Sequence, residues 1–214
     1  MIKDIFSNCL NEVKSKSLRP LGSLKSKFKK IGIVGSGLMG HGIAYVSSYY
    51  GFKVVLIDNS KENVLTAFSK IEKMFKTEIK QNLFSNSQME KCLENIKVST
   101  DVSDLKGCDL VIEAVYEDTA LKRDVTIAAE KIMKSSGVFS SNTSTIPISK
   151  LATVSVRPEN FIGIHFFSPV HKMKLVEIIK NDNTSSNTLA RTLDFINEIK
   201  KIPIVVNDGP GFFT

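Results

Sequence analysis

No stretch of this sequence is apolar for long enough to cross a bilayer, which takes about 20 consecutive residues, so nothing in it reads as a transmembrane helix. Cysteine is scarce and odd in number. Cys9, Cys92 and Cys108 lie far apart and lack the C-x-x-C spacing that gathers thiolates on a metal. No metal site is therefore expected, and reduced thiols in an intracellular compartment are. Repeats and low-complexity tracts are missing too, which excludes the solenoid and array architectures. Only 3 histidines occur in 214 residues, so each one has to be accounted for.

Negative charge is in short supply at one end only. Residues 1–30 carry eight cations (Lys3, Lys14, Lys16, Arg19, Lys25, Lys27, Lys29 and Lys30) against Asp4 and Glu12, nearly all of the chain's +7. The remainder is close to neutral, which argues against a nucleic-acid-binding face on the main domain. Within residues 1–29, Ile5, Phe6, Cys9, Leu10 and Val13 fall at helical spacing, before a Lys- and Ser-rich stretch around Pro20 and Gly22. Two readings stay open for this basic N-terminal extension: a mitochondrial targeting segment, which is basic and amphipathic, or a surface helix and linker.

What is present is ordinary soluble composition, 42% hydrophobic and 24% charged, in a length sufficient for one large domain with a real core. Strand-like runs alternate with helix-length amphipathic segments. KIGIVG, FKVVLIDNS, NIKVST, CDLVIEA, GVFSSN, FIGIHFF, KLVEII and IPIVVN are the strand candidates. Helices are expected over 38–51, 61–81, 122–136 and 188–201. This alternation predicts an α/β fold: a Rossmann-like, doubly wound, mostly parallel sheet of about eight strands, covered on both faces, spanning 30–207.

The first strand runs into Gly35-Ser36-Gly37-Leu38-Met39-Gly40, a G-x-G-x-x-G sequence that opens the first helix. Gly35 suits a tight turn, Gly37 admits a pyrophosphate against the backbone, and Gly40 lets helix and strand pack closely. The free N–H groups and positive end of the helix then face the phosphates. Asp58, ending the second strand, can accept hydrogen bonds from a ribose diol and would repel a 2'-phosphate, which favours NAD. The pattern alone would also fit a glycine-rich turn; its place between strand and helix selects dinucleotide binding.

Ligands of such sheets sit beyond the strands' carboxyl ends. There VIEAVYED offers Glu113 and Glu117 with Lys122 following, either a functional cluster or a helix cap with a solvated charge pair. SSNTST offers Asn142 and Ser144, either site residues or a turn with an N-cap. The third cluster is HFFSPVHKMKLVEII, residues 165–179. If its two strands fold back about residue 171, His165 lies opposite Glu177, about 5 Å apart at Cβ, within reach of a hydrogen bond. A histidine so held keeps one tautomer and has its other nitrogen free for a proton; the alternative is a satisfied core histidine. His171 falls at the loop tip, and His41 is expected to be exposed.

GSGLMGHGIA, IEAVYED, SNTST, RPENFIGIHFFSPVHKMKLVEII and NDGPGFF, in this order, resemble the NAD domain of the 3-hydroxyacyl-CoA dehydrogenase family. The forms HFFSP, VIEAVYED and GPGFFT are similar to the dehydrogenase segment of multifunctional fatty-acid oxidation enzymes, such as the trifunctional enzyme alpha subunit. The resemblance implies NAD-dependent oxidation of (S)-3-hydroxyacyl-CoA to 3-ketoacyl-CoA in β-oxidation. It implies His165 as general base, Glu177 as its carboxylate partner and Ser144 as a hydrogen-bond donor to the substrate oxygen. Gly35, Gly37, Leu38, Met39, Gly40, Asp58, Glu117, Lys122 and Asn142 become cofactor contacts, and the Lys-rich helix with Lys70, Lys73, Lys76 and Lys80 is similar in place to one that contacts coenzyme A. It further implies a helical domain that 208–214 would begin, a hydratase domain upstream in the multifunctional relatives, and association into a homo-oligomer or a larger complex. A fragment of a longer enzyme, an excised single domain and a truncated gene product all stay open for this sequence. Its activity alone is the open alternative: a dehydrogenase, or an NAD-binding module inactive without the helical domain. The compartment expected is mitochondrial, with peroxisomal or cytoplasmic as alternatives.

Overall fold

The structure, a computed structural model, describes residues 18–21, 23 and 27–212; the helical spacing of Ile5 to Val13 lies outside them. The chain runs β1 (Lys30–Val34), α1 (Leu38–Tyr49), β2 (Lys53–Ile57), α2 (Lys61–Lys80), α3 (Asn86–Glu94), β3 (Ile96–Ser99) and β4 (Leu110–Glu113). It continues through α4 (Thr119–Ile132), β5 (Val138–Ser141), α5 (Ile148–Ala152), β6 (Phe161–Phe166), β7 (Leu175–Lys180), α6 (Ser186–Glu198) and β8 (Ile202–Asn207). No helix among the described residues is long and apolar enough to cross a membrane.

All eight strands join one sheet in the order β3-β2-β1-β4-β5-β6-β7-β8. Every neighbour pair is parallel except β6 and β7, which are antiparallel. This is the doubly wound, mostly parallel sheet with an antiparallel interruption near one end that the sequence predicts. Strand order reverses between β1 and β4, so the crevice at their carboxyl ends is the place where such sheets bind ligands.

The two-residue period of the strands sorts side chains onto two cores. Ile31, Ile33, Leu110, Ile112, Ile162 and Ile164 point to one face, where Ile43 of α1, Ile71 and Phe75 of α2 and Phe195 of α6 cover them. Val111, Phe139, Phe161 and Ile179 point to the other, under Ala129 of α4 and Ile148 and Leu151 of α5. His165 and Glu177 share the second face with Ile179, since residues two apart on a strand point the same way.

Two helices were not anticipated. α3 has a sequence signature that could have found it: Ser85 and Gln88 form a reciprocal capping box. α5 is only five residues long and carries little periodicity. Helix starts also lie earlier than the apolar pattern suggests, because Asp118 and Ser185 accept N-terminal N–H groups and begin α4 and α6. The end of the N-terminal extension is docked on α6. Phe28 is buried, with its ring 6.1 Å from that of Phe195, and Arg19 donates to both oxygens of Asp194 at 2.9 and 3.1 Å.

The β1–α1 turn is fixed by close backbone approach. Gly35 has φ +101°, and a Cβ on it would lie 2.5 Å from Ala114 O. At Gly40 a Cβ would come within 1.8 Å of Gly35 O, an oxygen of the backbone itself. Gly40→Ala should therefore lower stability by about 3 kcal/mol, the upper end for overpacking. Urea unfolding of the purified chain measures this, and an unchanged midpoint would show that the turn can open without loss.

Candidate functional site

Asp58 stands at the carboxyl end of β2, beside the glycine turn. Its Oδ2 accepts from the Ser36 N–H at 2.9 Å and the Ser36 hydroxyl at 2.8 Å, and its Oδ1 accepts from Asn63 Nδ2 at 3.0 Å. Burial acts to raise its pKa, but the bonds from Asn63 and Ser36 outweigh it and hold the carboxyl below the usual range. A cleft of about 760 Å³ opens here, lined by Gly35, Gly37, Asp58, Thr100, Tyr116 and Val125 among others. Nothing lies within 4 Å of the position a Cβ on Gly37 would occupy, and α1 begins there without a side-chain cap or an acid in its first turn. The room at Gly37, the free N–H groups of the first turn and the ionised Asp58 together fit the pyrophosphate and adenosine ribose of a dinucleotide.

The VIEAVYED cluster is not the solvated pair that one reading of the sequence allowed. Glu113 is 0% and Lys122 1% exposed, with Lys122 Nζ donating to Glu113 Oε1 at 2.8 Å. The other Glu113 oxygen accepts from Ser141 Oγ at 2.6 Å. Lys122 also lies 3.2 Å from Glu117 Oε2, so one ammonium bridges two carboxylates. The second carboxylate organises the SNTST turn. Glu117 Oε1 accepts from the Thr143 hydroxyl at 2.5 Å, the Ser144 N–H at 2.9 Å and the Thr145 N–H at 3.1 Å, with the Ser144 hydroxyl at 3.3 Å. Burial opposes the charge of Glu117, but Thr143, Lys122 and the two backbone donors prevail, and its pKa falls to about 2. Asn142 ties this turn to the next strand: its Oδ1 accepts from Phe166 N–H at 2.9 Å.

β6 and β7 pair with His165 directly opposite Glu177, the register predicted from the fold-back. His165 Nδ1 lies 2.6 Å from Glu177 Oε2, with Glu177 entirely buried and the His165 side chain 12% exposed. A carboxylate can only accept, so Nδ1 carries the proton in this bond and Nε2 of the neutral ring is left as a base. Glu177 Oε1 has no hydrogen-bond partner among the described residues, so the His165 bond is the one that answers this buried charge. Phe167 and Phe212 flank the imidazole, with ring centroids 4.6 and 6.1 Å away.

The remaining histidines divide. His171 is exposed at the turn between β6 and β7, as expected. His41 corrects the expectation of exposure: it is 8% exposed, with Nδ1 2.7 Å from Gly37 O. α1 is buried around most of its girth, because the loop after β6 also packs on it. Val170 lies 3.0 Å from where a Cβ on Gly42 would be. Of the residues the sequence singled out, Gly35, Gly37, Leu38, Met39 and Asp58 line the cleft. Gly40 supports the turn. Glu117, Asn142 and Ser144 form the neighbouring turn, and Lys122 lies buried behind Glu117. Sequence reasoning missed Ser36 and Asn63 as Asp58 partners, although their positions in the glycine turn and first turn of α2 place both beside the end of β2. It also missed Ser141 as the partner of Glu113.

Residues 30–209 match the family described as 3-hydroxyacyl-CoA dehydrogenase, NAD binding domain. Solved structures agree. FadB2 of M. tuberculosis is 31% identical with a TM-score of 0.86, the match covering 88% of this chain and 67% of that one. The (S)-3-hydroxybutyryl-CoA dehydrogenase PaaH1 from Ralstonia eutropha is 37% identical, TM-score 0.86, over 88% of this chain and 66% of that one. The dehydrogenase part of multifunctional enzyme 1 from C. elegans is 31% identical, TM-score 0.77, over 86% of this chain and 42% of that one. The chain thus spans about two thirds, or less, of the relatives it matches.

The depressed Glu117 carboxyl generates a pH prediction. Its folded pKa of about 2 lies below the ordinary 4.5, so its stabilisation is complete above pH 4.5 and is lost as pH falls toward 2. Glu117→Gln should lower stability at neutral pH and flatten its decline across that window. Urea midpoints measured from pH 7 down to 2.5 test this; parallel curves for the two proteins would contradict it.

Proposed function

Because this chain belongs to the 3-hydroxyacyl-CoA dehydrogenase family, as its NAD-binding domain, we propose that it oxidises an (S)-3-hydroxyacyl-CoA to the 3-ketoacyl-CoA with NAD, using His165 as base. The observation that carries this is the 2.6 Å bond between His165 Nδ1 and the buried Glu177. That bond fixes the imidazole tautomer and leaves Nε2 free to take a substrate proton. As His165 takes the proton of the 3-hydroxyl, the charge that develops on the ring is met by the Glu177 carboxylate. A bound NAD would supply the acceptor for the hydride of C3.

The other residues hold and orient. The Ser144 hydroxyl, exposed at the turn that Glu117 secures, hydrogen-bonds the substrate oxygen. Asn142, anchored through its Oδ1 on Phe166 N–H, has its amide N–H groups for the nicotinamide ribose. Gly37 and the first turn of α1 take the pyrophosphate, and Asp58 takes the adenosine ribose. Lys122 supports the cofactor side by fixing Glu117. Membership of a longer, multifunctional enzyme is supported by the likeness to the dehydrogenase part of multifunctional enzyme 1 from C. elegans.

A second reading is that the chain alone binds NAD without turning over. What favours it is that the chain spans only 67% and 66% of two dehydrogenases it matches. Mixing the chain with NADH and acetoacetyl-CoA separates the two. Loss of NADH absorbance that vanishes in His165→Gln, with NADH binding intact, is the expected result. NADH binding without oxidation at any protein concentration would establish the second reading instead. Gly37→Val should fold normally, since space surrounds the position, yet lose NADH binding by at least tenfold in a fluorescence titration. Undiminished binding would remove Gly37 from the pyrophosphate site.

A further inference from the structure

The cleft beside the glycine turn poses a charge problem. A dinucleotide brings two negative charges on its diphosphate, and a helix N-terminus supplies only about half a positive charge. Gly37 adds no side chain to that end of α1. Among the residues lining the cleft, Asp58 and Asp124 are acids, and Lys70 is the one cation. Apart from Lys70, the charged side chains of the walls are both acidic, against a ligand that is itself an anion.

Lys70 is placed to answer this. Asn63, Thr66, Ala67 and Lys70 all line the cleft, and their spacing puts them on one stripe of α2. The stripe starts at Asp58, to which Asn63 donates at 3.0 Å, and rises roughly 10 Å along the helix to Lys70. Lys70 thereby comes to the first turn of α1. Burial chiefly, and the positive charge of Lys70 in addition, keep the His41 imidazole of that turn below its usual pKa. Further along the helix Lys76 is engaged with Glu72 at 2.5 Å, whereas Lys70 is exposed and makes no ion pair with any described residue. Asp58 does not claim it, because Ser36 and Asn63 already occupy that carboxylate.

We propose that Lys70 binds the diphosphate of the dinucleotide, as the counter-charge that the first turn of α1 cannot supply alone. The assignment rests on the cofactor reading above. The same ammonium chemistry would suit a phosphate of the coenzyme A substrate, so the test separates the two sources. NADH, ADP-ribose, adenosine and acetoacetyl-CoA are titrated against the parent chain, Lys70→Met and Lys70→Arg. Lys70→Met should weaken NADH and ADP-ribose about fivefold at low salt, the size expected of an exposed charge contact. The gap should close as ionic strength passes ~0.1 M. Lys70→Arg should restore affinity, and adenosine, which has no phosphate, should not distinguish the variants. Unchanged NADH and ADP-ribose affinities would overturn the proposal, as would a loss confined to acetoacetyl-CoA, which would assign Lys70 to the substrate's phosphates. Failure of the parent chain to bind NADH would remove the cofactor reading along with it.

Discussion

The carboxylate of Glu177 is entirely buried, and the organisation of the site follows from what that burial requires. An isolated buried charge is costly by several kcal/mol, and one removed from its partner is destabilising. Here a single bond to His165 answers it, with the second oxygen left without a donor among the described residues. The pair can meet only in one register of β6 on β7. A slip of β7 by one residue would turn Glu177 to the opposite face, into the apolar layer under α1 and α6, and leave His165 without it. Strand pairing, the packing of Ile162, Ile164, Val176 and Ile178, and the orientation of the imidazole are thus one constraint seen at three scales.

Glu113 meets the same difficulty at the end of β4, with β5 between it and β6, and resolves it differently. Its oxygens are filled by Lys122, Ser141 Oγ and the Val115 N–H, so the charge is spread over a network and has no bond left for a ligand. What it exports is position: Lys122 links it to Glu117, and Glu117 gathers the 143–145 turn. One buried carboxylate therefore stays coupled to a group that can exchange a proton, while the other is locked into the scaffold. The difference lies in the partner, a titratable ring in one case and a fully enclosed ammonium in the other.

Most of the fold was legible in the sequence because it rests on period and punctuation. Strand alternation, the glycine turn and the fold-back about residue 171 are local features, and local rules recover them. The His165–Glu177 pair was legible for the same reason, since a hairpin register is arithmetic. The state of Lys122 was not. Its burial depends on β4, α4 and β5 converging, and a lysine in a first helical turn reads by default as solvated. His41 was misplaced for a related reason: its helix is covered by a loop more than a hundred residues away in sequence, which no window on α1 contains. α5 was missed because five residues hold less than two turns of periodicity.

After β8 the chain does not leave the sheet directly. Asp208 turns back to accept the N–H groups of Ile148 and Ser149 at 2.7 and 2.8 Å, and Phe212 comes to rest beside the imidazole. The backbone is thereby routed past the proposed base before it goes anywhere else. Any polypeptide continuing from Phe212 would start its path next to His165. Its motions would be felt as changes in the wall and wetness of that one ring, with no intermediary in the sheet.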